Sequence, residues 1–83
     1  MDFTLSKHAE DAMHERGIGP EWVTETMTTP LIMEPDPDAS TLMHALRPIP
    51  EFGYRVLRVI FNQTRKPPHI VTAYFDRAMK GKL

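Results

Sequence analysis

Two places in this sequence hold residues able to do chemistry. The first is the stretch SKHAEDAMHERGIGPEW, residues 6–22. It reads as a short amphipathic helix, a glycine stop and the start of a second helix. His8 and Arg16 sit at or beside its apolar stripe. A titratable imidazole and a guanidinium there are either tied down inside the fold or aimed at a ligand. The second place lies in the C-terminal strands. Side chains alternate across a strand, so Leu57, Val59 and Phe61 form one set, and Tyr54, Val56, Arg58 and Ile60 the other. Further on, Val71, Ala73 and Phe75 oppose Ile70, Thr72, Tyr74 and Asp76. With the cleaner apolar sets facing the helices, Arg58, Thr72 and Tyr74 share the open face. A basic residue beside a tyrosine suits a phosphate or a base. The competing reading pairs Arg58 with an acid and lets the tyrosines cover the sheet, the ordinary condition of a solvated antiparallel face.

The elements that must position these residues read as follows. Helix one spans Lys7 to Arg16, with Ser6 as N-cap and Gly17 as a left-handed stop. Leu5, Ala9, Ala12, Met13 and Arg16 form its stripe, with His8 at the edge. Helix two starts at Gly19-Pro20, proline being tolerated at a first helical position. It turns Trp22, Val23, Thr26 and Met27 inward and ends at Pro30. Strands are expected at Leu31–Glu34, Thr41–Arg47, Tyr54–Asn62 and His69–Asp76, the third being richest in β-branched and aromatic residues. The segments PDPD, PIPEFG and QTRKPP turn the chain. The fold class is therefore α+β: one domain, residues 1–83, with an N-terminal helix pair on a mostly antiparallel, curved sheet of three to four strands.

Composition narrows the function classes. Hydrophobic residues at 41% and charged residues at 25% suit a folded domain. No apolar run approaches the roughly 18 residues of a membrane helix, and the N-terminus has no signal-peptide pattern. Cysteine is absent, so a cytoplasmic setting is expected and no membrane partner. The four histidines lack ligand spacing such as H-x-x-x-H, so neither metal nor cofactor is expected. His14 lies on the polar helix face, and His44 and His69 are isolated strand residues with no assigned role. The net charge of −1 hides a split. Residues 1–46 carry nine acids and two bases, net −7; residues 47–83 carry eight bases and two acids, net +6. Such asymmetry marks an anionic partner on the basic side, or halves whose charges offset one another when folded.

The run LSKHAEDAMHERGI, with H-A and then R-G-I at the spacing of His8 and Arg16-Gly17-Ile18, resembles the opening signature of a bacterial family, domain of unknown function 4258. The strands RVLRVIFN and PPHIVTAYFDR resemble its close. The resemblance spans roughly Phe3 to Lys80 and is thin between Leu31 and Gly53. That family is similar to the RelE and BrnT toxins, within a broader group of small metal-independent ribonucleases. The resemblance implies a RelE-like helix pair against a curved antiparallel sheet, and RNA cleavage of toxin–antitoxin type. It also implies RNA or the ribosome as target and a small antitoxin protein as partner.

Metal-free RNA cleavage needs a base for the 2′-hydroxyl, positive charge for the phosphorane-like transition state and an acid for the leaving 5′-oxygen. Under the resemblance His8 is the base, kept neutral by the positive end of the helix dipole. Arg58 and Arg16 hold the phosphate through their guanidinium forks, and Tyr74 donates a proton or stacks on a base. Arg55, Arg77 and Lys80 bind the RNA backbone. The duller rivals are a backbone-bonded His8, an Arg16 that locks the helix exit, and Arg58 and Arg77 as surface charges. The chain also departs from the strongly basic RelE pattern, with a pI near 6.4; its acidic half would repel RNA. Two readings follow: a toxin-type ribonuclease, or a non-catalytic protein- or nucleic-acid-interaction module on the same fold. Pairing of an edge strand into a homodimer is compatible with either.

Overall fold

In the computed structural model, which describes residues 2–83, Ser6 joins the first helix to the sheet. Its Oγ accepts the Ala9 N–H at 3.0 Å and donates to the Val71 carbonyl at 3.0 Å. It thereby caps α1 (Lys7–Arg16), which stops at Gly17 in the left-handed region, φ 64°. Ala9, Ala12 and Met13 are buried, as the stripe requires. The second helix, α2 (Pro20–Thr28), opens on its proline and buries Val23 and Thr26. Thr26 stays in the core because its hydroxyl donates to the Trp22 carbonyl at 2.8 Å. Thr24, Thr28 and Thr29 make the same i−4 bond. Arg47 ties the end of α2 to the sheet through Glu25 and the Thr29 carbonyl.

Among the described residues the sheet has five strands: β1 (Thr4–Leu5), β2 (Ile32–Pro35), β3 (Leu42–Ile49), β4 (Arg55–Asn62) and β5 (His69–Phe75). Their spatial order is β1-β5-β4-β3-β2. The pairs β2–β3, β3–β4 and β4–β5 are antiparallel, while β1 lies parallel to β5. The expectation of three to four strands is therefore corrected to a five-stranded mixed sheet. A two-residue strand has no hydrophobic period to read, and its partner lies 65 positions away. The third strand also runs on through Pro48 and Ile49, where a loop was expected. Proline is tolerated there because β2 pairs with β3 only as far as Leu46, leaving that side of β3 open.

Both helices pack on one face of the sheet. Ala9, Met13, Ile18 and Val23 meet Ala45, Ile49, Leu57, Val59, Phe61, Ile70 and Ala73 in the main core. Ile70 is a second correction, since simple alternation puts it on the opposite face. A bulge between β4 and β5 pairs Ile60 with Thr72 but Phe61 with Ile70, so Val71 is the extra residue and parity switches there. The other face is not bare either. Leu46 and Val56 are fully buried outside the main core, and a 3-10 turn, Arg77–Met79, packs back against β4.

Candidate functional site

The last turn of α1 and the end of β5 define the site. Asp76 N–H donates to the Val56 carbonyl at 2.8 Å. Antiparallel ladders alternate, so the backbone groups of Ala73 and Phe75 point away from β4, toward the edge. The short strand β1 covers that edge only as far as Ile70. Beyond it Arg16 takes over, its Nη1 donating to the Ala73 carbonyl at 2.9 Å. The guanidinium closes the helix exit and presents its charge beside the strand end. Here a shallow cleft of about 580 Å³ is lined by Arg16, Arg55, Arg77 and Lys80, with Tyr74, Phe75 and Asp76. Four cations thus face one carboxylate, and that carboxylate is already paired.

Its partner is Arg58. The guanidinium Nε and Nη2 donate to Asp76 Oδ2 at 2.9 and 2.8 Å, and Nη1 donates to Glu34 Oε1 at 3.0 Å. Burial pulls the Arg58 pKa down, but hydrogen bonds to Glu34 and Asp76 more than offset this and leave it raised. Nη1 also lies 2.7 Å from His44 Nδ1. An arginine only donates, so Nδ1 accepts and His44 carries its proton on Nε2, which faces Asp36 Oδ2 at 2.8 Å. The chain Asp76–Arg58–His44–Asp36 crosses the sheet on the face opposite the helices. It reaches the cleft through Asp76, whose other oxygen accepts the Ala78 N–H and caps the turn that begins at Arg77.

The hydrogen bond from His44, followed by the Asp38 and Ala39 backbone N–H groups, holds the Asp36 carboxyl below its ordinary pKa. A depressed folded-state pKa stabilises the fold above the unfolded value of 3.8, and that contribution is lost as pH falls through the folded value. In urea titrations wild type should therefore exceed Asp36→Asn in stability by a constant margin from about pH 5 upward. The margin should shrink below about pH 4. A margin unchanged down to pH 2 would show that the carboxylate is not what the network stabilises.

Of the seven residues singled out from sequence, the cleft gathers Arg16, Arg55, Tyr74, Arg77 and Lys80. His8 and Arg58 do not line it. His8 is exposed on the first turn of α1, a helix packed on the core face of the sheet. Arg58 pairs across the strands with Tyr74 and reaches the cleft only through Asp76. Sequence reasoning missed His44 and Glu34, which meet Arg58 from two other strands, and Asp36, which bonds His44 from a turn. It also missed Phe52, whose ring stands 5.0 Å from Phe75 and 5.6 Å from Trp22, centroid to centroid. The one available signal was the acid-rich PDPD turn just before the strand that carries His44. Without the register it names no partner.

The model of a family described as domain of unknown function (DUF4258) matches residues 5–75. The chain belongs to that family. The DUF4258 match takes in both helices and β2 to β5, and with them Arg16, Arg55 and Tyr74 of the cleft. It stops before the turn that supplies Arg77 and Lys80. No curated protein and no solved structure matches the chain. Among the described residues no helix is long and apolar enough to cross a membrane.

Proposed function

We propose that this DUF4258 chain binds RNA by its phosphate backbone in the cleft at the end of β5. The observation that carries the reading is the convergence of Arg16, Arg55, Arg77 and Lys80 around Tyr74, in a chain whose net charge is −1. Planar guanidinium groups suit bidentate phosphate contacts. The acids of α1 (Glu10, Asp11, Glu15) point outward on the helix rather than into the cleft. The resemblance to RelE and BrnT toxins favours RNA over other polyanions, with an antitoxin-type protein as the natural competitor for the same cations.

Cleavage is the second reading, and Tyr74 favours it. A phenol among four cations can give its proton to a leaving 5′-oxygen while the arginines hold the charge of the phosphorane. The 2′-hydroxyl is the nucleophile, so beyond this acid and these cations the protein must still supply a base. His8, which does not line the cleft, is poorly placed for that role, and binding is the better supported reading.

The test is fluorescence anisotropy with a labelled single-stranded oligoribonucleotide across a salt series. Arg77→Ala with Lys80→Ala leaves the core untouched. It should weaken binding and lower the slope of log K against log salt by about 1.4, at roughly 0.7 per phosphate contact on a single strand. An unchanged slope, or no binding by wild type, sinks the reading. For cleavage, wild type should fragment the same strand and Tyr74→Phe should bind without cutting. Intact RNA from folded wild type, with or without ribosomes, removes the catalytic reading alone.

A further inference from the structure

We infer that the cleft takes single-stranded nucleic acid, with a base stacked on the aromatic shelf built around Phe52. This rests on the cleft reading above and names its substrate class. Phe52 lies on the 3-10 turn Pro50–Phe52 and remains 36% exposed. Its ring is fixed from two sides, near-parallel to Trp22 at 22° and tilted at 52° against Phe75. Phe75 lines the cleft, so the shelf and the cleft share a wall. Arg55 joins them a second time, for its guanidinium lies 4.5 Å over the Phe52 ring while its side chain lines the cleft. Trp22 and Arg55 both lie against that ring, so the base stacks on the exposed guanidinium that Phe52 backs. A pre-ordered aromatic loses little entropy on contact. Beside it, Tyr54 is 63% exposed and holds a left-handed φ of 61°. A bulky residue rarely adopts that conformation, and strain of this kind gathers where a ligand is held.

Cationic grooves flanked by exposed aromatics bind single strands because phosphates follow the charge while every base offers a π-face. A duplex shows its phosphates but keeps its π-faces stacked inside. An acidic peptide would use the four cations and leave the shelf idle.

The experiment compares three labelled ligands of equal length by anisotropy: a mixed-sequence single-stranded oligoribonucleotide, an abasic strand with the same phosphates, and a duplex. Wild type should bind the single strand at least about tenfold more tightly than the abasic strand, from base–aromatic stacking. Phe52→Leu keeps the apolar volume and removes the π-face. It should weaken single-strand binding about five- to a hundredfold and abasic binding far less, because Arg55 keeps its charge but loses the ring beneath it. Tyr54→Ala, at an exposed position, should reduce single-strand binding in the same direction without unfolding the protein. Equal binding of all three ligands overturns the inference while the phosphate cleft stands. So does a Phe52→Leu protein that keeps the preference for bases. Tighter binding of the duplex also overturns it. Binding of none of the three ends the cleft reading and this inference together.

Discussion

Arg58→Ala is expected to destabilise the protein by about 3–5 kcal/mol, measured as the shift in urea unfolding at pH 7. The Arg58 side chain is 11% exposed and that of Asp76 is 17% exposed, so neither charge is well hydrated. Removing the guanidinium strands the Asp76 carboxylate, deprives His44 Nδ1 of its donor and frees Glu34. The large term is the unpaired buried charge left behind, not the net worth of the pair. A domain of this size has on the order of 4–12 kcal/mol in total, so the loss takes a large share of the stability, and at the low end of that range it leaves much of the protein unfolded. The control is the double change Arg58→Met with Asp76→Leu, which removes both charges and should recover most of the loss. It should still impair the cleft, because Asp76 also caps the turn that begins at Arg77. A loss below 1 kcal/mol in Arg58→Ala would mean that the network behaves as a solvated surface pair. A catalytic role for Arg58 requires it to be free for substrate, and this variant separates the two uses.

The second large effect is expected at Leu57. Its side chain is fully buried on the helix-facing side of β4, opposite Arg47 on one neighbour strand and Phe75 on the other. Leu57→Ala removes three carbons from a packed site and leaves a cavity that the sheet cannot close, at about 2–5 kcal/mol. Leu31→Ala, on a side chain 55% exposed, is the contrast and should stay within about 0.5 kcal/mol. Equal effects at the two positions would contradict the assignment of faces. Because Phe75 rests beside Leu57 and walls the cleft, Leu57→Ala should also weaken RNA binding in whatever fraction remains folded. A change at the cleft surface, such as Lys80→Ala, should weaken binding with little loss of stability.

How far each feature could be read in advance follows the range of the interactions behind it. The bounds of α1 were legible because Ser6 and Gly17 act within one turn of the residues they cap. Proline at the start of α2 and the inward set Val23 and Thr26 were legible for the same reason. The helix-facing set Leu57, Val59 and Phe61 follows from strand alternation alone. Alternation fails at Ile70, because a bulge depends on what the neighbouring strand does. The parallel pairing of Thr4-Leu5 with His69-Ile70 left no trace, since two residues carry no pattern.

The site divides in the same way. Residue type and net charge along the chain were enough to single out Arg16, Arg55, Tyr74, Arg77 and Lys80 one at a time. That they face one cleft, and that His8 does not join them, was settled by α1 docking its apolar stripe on β5 and the tail turning back over β4. Arg58 shows the limit most plainly. Its guanidinium meets Asp76, Glu34 and His44 from three separate segments, through hydrogen bonds spanning 14 to 24 positions. A chain read in order contains those partners, but only strand register brings each of them within hydrogen-bond reach of that guanidinium.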